Sequence, residues 1–153
     1  MIKILPRLLI QFNTSFNQIA AIDPTSGRTL WTYDPQAYEA RSHSRGMAYW
    51  TDGTQKRLFI NTADGRLISV DALTGHAAAG FGEAGEVNLV EGLRRNQLPQ
   101  EFGVTSAPIV VGDVLVVGST VSDARPHDKK PPGDVRGFDV RTGEELWAFH
   151  SIP

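Results

Sequence analysis

Three segments of the chain are variants of one phrase: AIDPTSGRTLWTYDP at residues 21–35, SVDALTGHAAAGFG from Ser69 and GFDVRTGEELWAFH from Gly137. Each runs along an apolar stretch to an Asp (Asp23, Asp71, Asp139), crosses a short turn that ends in Gly (Gly27, Gly75, Gly143), and enters a second apolar stretch. The pattern writes a hairpin. Ser26, Thr74 and Thr142 are placed to bond back to the turn backbone, and the glycines accept positive φ without steric cost. Trp31 and Trp147 each follow their Gly by four residues; in the middle copy that place is Ala79, with Phe81 two residues on. Repeats built of hairpins rather than helices predict an all-β fold, a propeller or a similar array of small sheets, and the strand signals of the copies make it a partial β-propeller of four-stranded antiparallel blades.

Strand signals fill in the copies. GMAYWT (Gly46 to Thr51), RLFINTA (Arg57 to Ala63), RLISVDA after the Asp64-Gly65 turn, and HAAAGF after Gly75 predict one blade. APIVV, VLVVG, VRGFDV and EELWAF predict another. FNQIAAID and RTLWTY give the last two strands of an earlier blade, whose first half falls in the weakly patterned residues 1–14. The expected division is an incomplete first blade over 1–45, a second over 46–81, a connection over 82–104 and a third over 105–153. Closed propellers need at least four blades, so about two and a half predict a piece of something larger. The long connections 82–104 and 121–134 are where binding groups are expected, because loops on a rigid array carry function.

Composition narrows the partners. A net charge of −2 provides no broad basic field for nucleic acid, and no stretch approaches a membrane-spanning apolar run. With no Cys, disulfides and thiolate metal sites are excluded and the redox compartment is not recorded. The opening MIKILPRLLIQF is broken by Pro6 and Arg7 without a clear small-residue cleavage site, which reads as a strand or a junction rather than a signal peptide.

Six segments, SFNQIAAIDPTSGRTLWTYDP, SRGMAYWTDG, RLFINTADGRLISVDALTG, FGEAGEVNL, SAPIVVGDVLVVGSTVSD and PPGDVRGFDVRTGEELWAFHSIP, together resemble the quinoprotein dehydrogenases. That family carries pyrroloquinoline quinone (PQQ) on an eight-bladed propeller. The likeness runs from about Ser15 to Pro153 and is closest to the branch of membrane glucose and related sugar or alcohol dehydrogenases. The Asp-to-Gly turn with its later Trp is shared by many propellers; Arg-Gly-x-x-Tyr-Trp at Arg45 and Pro-Pro-Gly-Asp-Val-Arg-Gly at Pro131 are narrower signals.

PQQ is a flat ortho-quinone with three carboxylates, so its pocket needs cations and hydroxyl donors at the rim, apolar faces, and a hard metal at the quinone oxygen. The resemblance implies that Arg45 pairs with a carboxylate or quinone oxygen, that Thr105 and Thr120 bond the rim, and that Asp123 is a ligand of a Ca²⁺ or Mg²⁺ acting as Lewis acid. It also implies a sugar or alcohol substrate, a quinone or cytochrome electron acceptor, no nucleic-acid partner, a periplasmic location and further blades on a longer chain.

The residues alone leave other readings open. Arg45 also suits a turn cap or a surface pair with Asp52; Thr105 and Thr120 are common strand-end residues; Asp123 lies in a charged loop with Arg125, His127, Asp128, Lys129 and Lys130. One carboxylate does not make a Ca²⁺ site, which takes six to eight oxygens. His43 and His127 receive no catalytic role, and Trp31, Trp50 and Trp147 read as packing residues. Two departures from the family pattern matter: Arg41-Ser42-His43-Ser44 stands where alcohol-oxidising members carry paired cysteines, against a methanol or ethanol branch, and Ala124 follows Asp123 where the glucose branch has Asn. The family's general base, stacking Trp and remaining metal ligands belong to later blades, so the catalytic base is unassigned and this chain alone is expected to be inactive. Two alternatives stand beside the dehydrogenase: a noncatalytic propeller scaffold in the cell envelope, and a truncated product without function.

Overall fold

A computed structural model describes residues 3–4, 10–13, 17–37, 45–93, 102–120 and 133–151. The regular structure of these residues is entirely strand. Three four-stranded antiparallel sheets follow one another along the chain. The first holds β1 (Lys3–Ile4), β2 (Ile10–Asn13), β3 (Ile19–Ile22) and β4 (Thr29–Tyr33). The second holds β5 (Ala48–Thr51), β6 (Lys56–Asn61), β7 (Arg66–Asp71) and β8 (Glu86–Asn88), and the third β9 (Ile109–Val111), β10 (Val114–Gly118), β11 (Val135–Asp139) and β12 (Glu145–Phe149). In each sheet the strands lie in chain order, which is the meander of a propeller blade.

Lys3–Ile4 and Ile10–Asn13, within the weakly patterned residues 1–14 where the sequence places the first half of the first sheet, pair Ile4 to Ile10 and Ile10 to Ile22. One sequence expectation needs correction. In the second sheet the fourth strand is Glu86–Asn88, not HAAAGF. The consecutive alanines there make only an isolated bridge, Val70 to Ala77, and Phe81 turns inward and is fully buried. The chain then returns to the sheet edge five residues later.

Burial explains why the middle sheet reads as unbroken apolar runs. Leu58, Ile60, Ile68 and Val70 pack with Ile19, Met47 and the rings of Trp31 and Tyr33, on the side of the first sheet. Phe59, Leu67 and Phe81 pack with Leu115, Val117, Phe138 and Val140 of the third. Covered on both faces, the strand keeps no polar alternation. The third sheet alternates instead, with Leu115 and Val117 buried and Val114 and Val116 only half-buried, and every residue of β12 is exposed.

The repeat's Asp does more than end a strand. Its carboxylate accepts from the two turn amides that follow: Thr25 and Ser26 on Asp23, Leu73 and Thr74 on Asp71, Arg141 and Thr142 on Asp139. The hydroxyls of Ser26, Thr74 and Thr142 accept from the second amide beyond each, as the sequence predicts. The backbone closes with Gly N–H to Asp C=O at 2.7–2.9 Å in all three.

Buried arginines tie sheet to sheet. Arg57 donates to the carbonyls of Val140 (3.1 Å), Arg141 (2.6 Å) and Ala79 (3.1 Å). Arg136 reaches the carbonyls of Leu89 (2.6 Å) and Glu91 (3.3 Å). Between the first two sheets, Arg66 bonds the carbonyl of Pro35 (2.8 Å) and pairs with Asp64 (2.7 Å) and Glu86 (2.9 Å). Burial alone would push the Asp64 carboxyl up, but the Arg66 and Thr62 hydrogen bonds outweigh it and hold the group below the usual carboxylate range. A depressed carboxylate contributes stability that is complete above its unfolded value of about 4 and is lost as pH falls through the folded value. The midpoint of thermal unfolding is therefore expected to drop on acidification below about pH 4, and Asp64→Asn to flatten part of that drop, as a calorimetric pH series would read.

Candidate functional site

The register brings three of the four sequence-predicted residues to one end of neighbouring sheets. Arg45 lies just before β5, and Thr105 just before β9; these two edge strands approach one another across the second and third sheets. β10 runs antiparallel to β9 with Val116 opposite Ile109, so the chain leaving β10 at Thr120 emerges at the end where Thr105 enters. β6 runs antiparallel to β5 with Ala48 opposite Phe59, which brings Asn61 to the end marked by Arg45. Asp123 lies outside the described residues.

Each side chain is held differently. Arg45 is exposed, and Asp52, its alternative partner, instead accepts from the amides of Thr54 and Gln55 and faces Arg141 at 3.9 Å. Those backbone bonds, chiefly from Gln55, keep the Asp52 carboxyl below its usual range. Thr105 is exposed. Thr120 is half-buried, and both its N–H (2.8 Å) and its hydroxyl (3.0 Å) donate to the carbonyl of Gly103. Gly103 is required there: a Cβ on it would meet the Thr120 hydroxyl oxygen at 2.6 Å. The Thr120 oxygen has its proton engaged and its lone pairs left for a donor.

Two residues at this end are not among the site residues that the sequence reading names. Asn61 is buried and donates to the Ser106 carbonyl (3.0 Å), which pins the segment carrying Thr105, while its buried Oδ1 has no hydrogen-bond partner among the described residues. Asp134, inside the Pro-Pro-Gly-Asp-Val-Arg-Gly stretch, is 2% exposed and meets His150 Nδ1 at 3.1 Å. Its backbone carbonyl accepts from the amide and hydroxyl of Ser119, beside Thr120. An Asn at the end of a strand and an Asp before one are too common for sequence to mark; only the register brings them to the other three.

Between β5 and β9, beginning two residues beyond Arg45 and Thr105, lies an open cleft of about 310 Å³ lined by Met47, Ala48, Tyr49, Ala107, Pro108, Ile109 and Val110. An exposed guanidinium and an exposed hydroxyl, Arg45 and Thr105, each two residues before the lining of an apolar cleft, suit a flat anionic ligand: the charge pairs with the guanidinium and the ring meets the cleft. No group of three or more His, Asp or Glu side chains gathers among the described residues in a way that could hold a metal. Trp50 lies within the sheet interface, its indole N–H on Asp113 (3.0 Å) and its ring beneath the Arg141 guanidinium (4.6 Å).

Comparison with known proteins follows the same lines. Residues 6–153 match the family model described as "PQQ: Glucose/ethanol/alcohol dehydrogenase, beta-propeller domain". The chain is 39% identical over 160 residues to the quinate/shikimate dehydrogenase (quinone) of Acinetobacter baylyi, covering 89% of this chain and 20% of that protein. It is 34% identical over 158 residues to quinoprotein glucose dehydrogenase A of Acinetobacter calcoaceticus, again over 89% and 20%. Among solved structures, the quinohemoprotein alcohol dehydrogenase of Comamonas testosteroni superposes with a TM-score of 0.72 at 27% identity, over 96% of this chain and 20% of that one. The chain thus spans about one fifth of the length of the relatives it matches.

Proposed function

The chain belongs to the PQQ-dependent glucose/ethanol/alcohol dehydrogenase β-propeller family, and on that premise we propose that it supplies one part of the cofactor rim of a periplasmic dehydrogenase acting on a sugar or alcohol. The observation that carries the reading is the convergence of Arg45, Thr105 and Thr120 at one end of two adjacent sheets, beside an apolar cleft. Arg45 offers a planar fork to a carboxylate of PQQ. The hydroxyl of Thr105 is exposed and available to donate, while that of Thr120, its proton already given to Gly103, accepts. Asn61 keeps the Thr105 segment in place. Asp123 is the carboxylate that the family likeness assigns to a Ca²⁺ or Mg²⁺. When bound, PQQ with its metal supplies a hydride acceptor. Electrons would pass on to a quinone or cytochrome, and turnover requires the blades that the relatives carry over the rest of their length.

Titration of the chain with PQQ and Ca²⁺, followed by cofactor absorbance, tests the reading. Saturable binding is expected, weakened about 10- to 100-fold in Arg45→Ala, the usual worth of a charge-assisted pair. Equal binding by the wild type and Arg45→Ala would remove Arg45 from the site, and absence of binding by a folded chain would leave either the scaffold reading or a site that needs the further blades of its relatives.

A further inference from the structure

Among the described residues, Arg57 alone is a buried cation without a countercharge. It makes no ion pair there, whereas Arg136, equally buried at 7% exposed, pairs with Glu145. Its four hydrogen bonds all go to neutral oxygens: Nε to the Gln55 side chain, Nη1 to the carbonyls of Val140 and Arg141, and Nη2 to that of Ala79. Neutral acceptors satisfy the donors and leave the charge. Burial, and after it the like charge of Arg141, push the guanidinium below the usual arginine range, against the pull of Asp139, Asp52 and Asp71. The blade itself does not require an arginine here: Arg57 stands opposite Asp71, and the same register place in the third sheet, opposite Asp139, holds Val114.

Arg57 lines an open cavity of about 360 Å³ whose other polar walls are Gln55, Lys56, Asp71 and Thr74, and whose remaining wall is the alanine run that makes no strand. The cavity belongs to the middle sheet, which the first and third sheets flank. Donors dominate it. A guanidinium carries five N–H groups, so one Nη2 N–H of Arg57 is left after its four bonds. The Lys56 ammonium has no partner among the described residues, and the Gln55 amide keeps its NH₂ free because only its Oε1 is taken, by Arg57. Asp71 serves its own turn instead, its Oδ1 accepting from the amides of Leu73 and Thr74 and from the Thr74 hydroxyl. Two cations face one carboxylate, and that carboxylate is engaged.

We propose that this cavity binds a phosphate group, with Arg57 and Lys56 supplying the charge and Gln55 a further donor. The free donors select the tetrahedral anion. A planar carboxylate is held best by two parallel N–H groups of one guanidinium, and every such pair on Arg57 includes Nε or Nη1, both already engaged. What remains is single donors on three side chains, which suits an ion that takes hydrogen bonds from several directions. The site stands apart from the cofactor reading: Lys56 pairs with Thr51 at the end of β5 opposite to Arg45.

Titration of the purified chain with inorganic phosphate at constant ionic strength, followed by phosphorus NMR line width and by the thermal midpoint, is expected to show saturable binding and a midpoint that rises with the logarithm of phosphate concentration. Lys56 is the residue to vary, because Arg57 also ties the sheets together. Lys56→Gln is expected to weaken binding about tenfold, the worth of one charge-assisted bond, and Lys56→Arg to retain it. Arg45→Ala is expected to bind phosphate as the wild type does. A sugar phosphate that binds more tightly than inorganic phosphate would identify a phosphate ester as the ligand, and equal or weaker binding the free ion; each sustains the site. No saturable binding by the folded chain, acetate that competes as well as phosphate, a Lys56→Gln chain that binds as the wild type does, or binding abolished by Arg45→Ala would each overturn the proposal.

Discussion

Phe81→Ala is expected to lower the free energy of unfolding by about 3–5 kcal/mol, the range for deleting a fully buried aromatic ring. Phe81 has no exposed surface, and its ring lies 5.6 Å from that of Phe59 at 53°. It fills space on two sides. One side is the core shared by the second and third sheets, with Leu115, Val117 and Phe138; the other is the Gly143 turn. Removal leaves a cavity that the surrounding sheets cannot readily close, because Arg57 and Arg136 fix their separation through backbone carbonyls. A loss of this size is a large share of the roughly 5–15 kcal/mol that holds a domain folded. Denaturant titration of wild type and variant gives the value, and a change below about 1 kcal/mol would show that the ring does not carry the interface.

The second large effect is at Gly75. Alanine there incurs the left-handed backbone penalty of about 1–2 kcal/mol and must also displace the Trp31 indole, which a Cβ would meet at 2.4 Å. Together these are expected to cost about 2–4 kcal/mol. Gly27→Ala provides the reference, since it carries the same backbone penalty at φ 70° with no neighbour to displace. The difference between the two variants isolates the contact of Trp31 with the neighbouring turn. It is expected to be at least about 1 kcal/mol by denaturant titration, the lower end for forcing extra volume into a packed contact; equal losses would mean that the ring gives way freely.

Much of this was legible in the sequence, for definite reasons. A turn written as Asp, two variable residues, Ser or Thr, then Gly carries its own chemistry, and all three copies fold as that chemistry dictates. The strands flanking it follow from apolar runs. What misled was length and spacing: HAAAGF follows the second turn just as strand sequences follow the other two, but its alanines give β-propensity little to work with, and the inward Phe81 diverts the chain before the short strand Glu86–Asn88 forms. Residues 3–13 are broken by Pro6 and Arg7, which hide strands whose pairing depends on β3.

For the site, Arg45, Thr105 and Thr120 were reached through the family likeness rather than through any property of an Arg or a Thr. Asn61 and Asp134 escaped because their significance lies in register: one is across β6 from Arg45's end, the other across β11 from Thr120's. Asp123 falls outside the described residues, so the metal remains a proposal from the likeness alone.

The most direct test of the central claim, that Arg45, Thr105 and Thr120 form part of a PQQ rim, is a crystal structure of the chain grown with PQQ and Ca²⁺. Density for the cofactor at the mouth of the cleft between β5 and β9, with a carboxylate or quinone oxygen within hydrogen-bond distance of the Arg45 guanidinium, is the predicted result. Cofactor bound elsewhere on the sheets, with Arg45 turned to solvent, would contradict it.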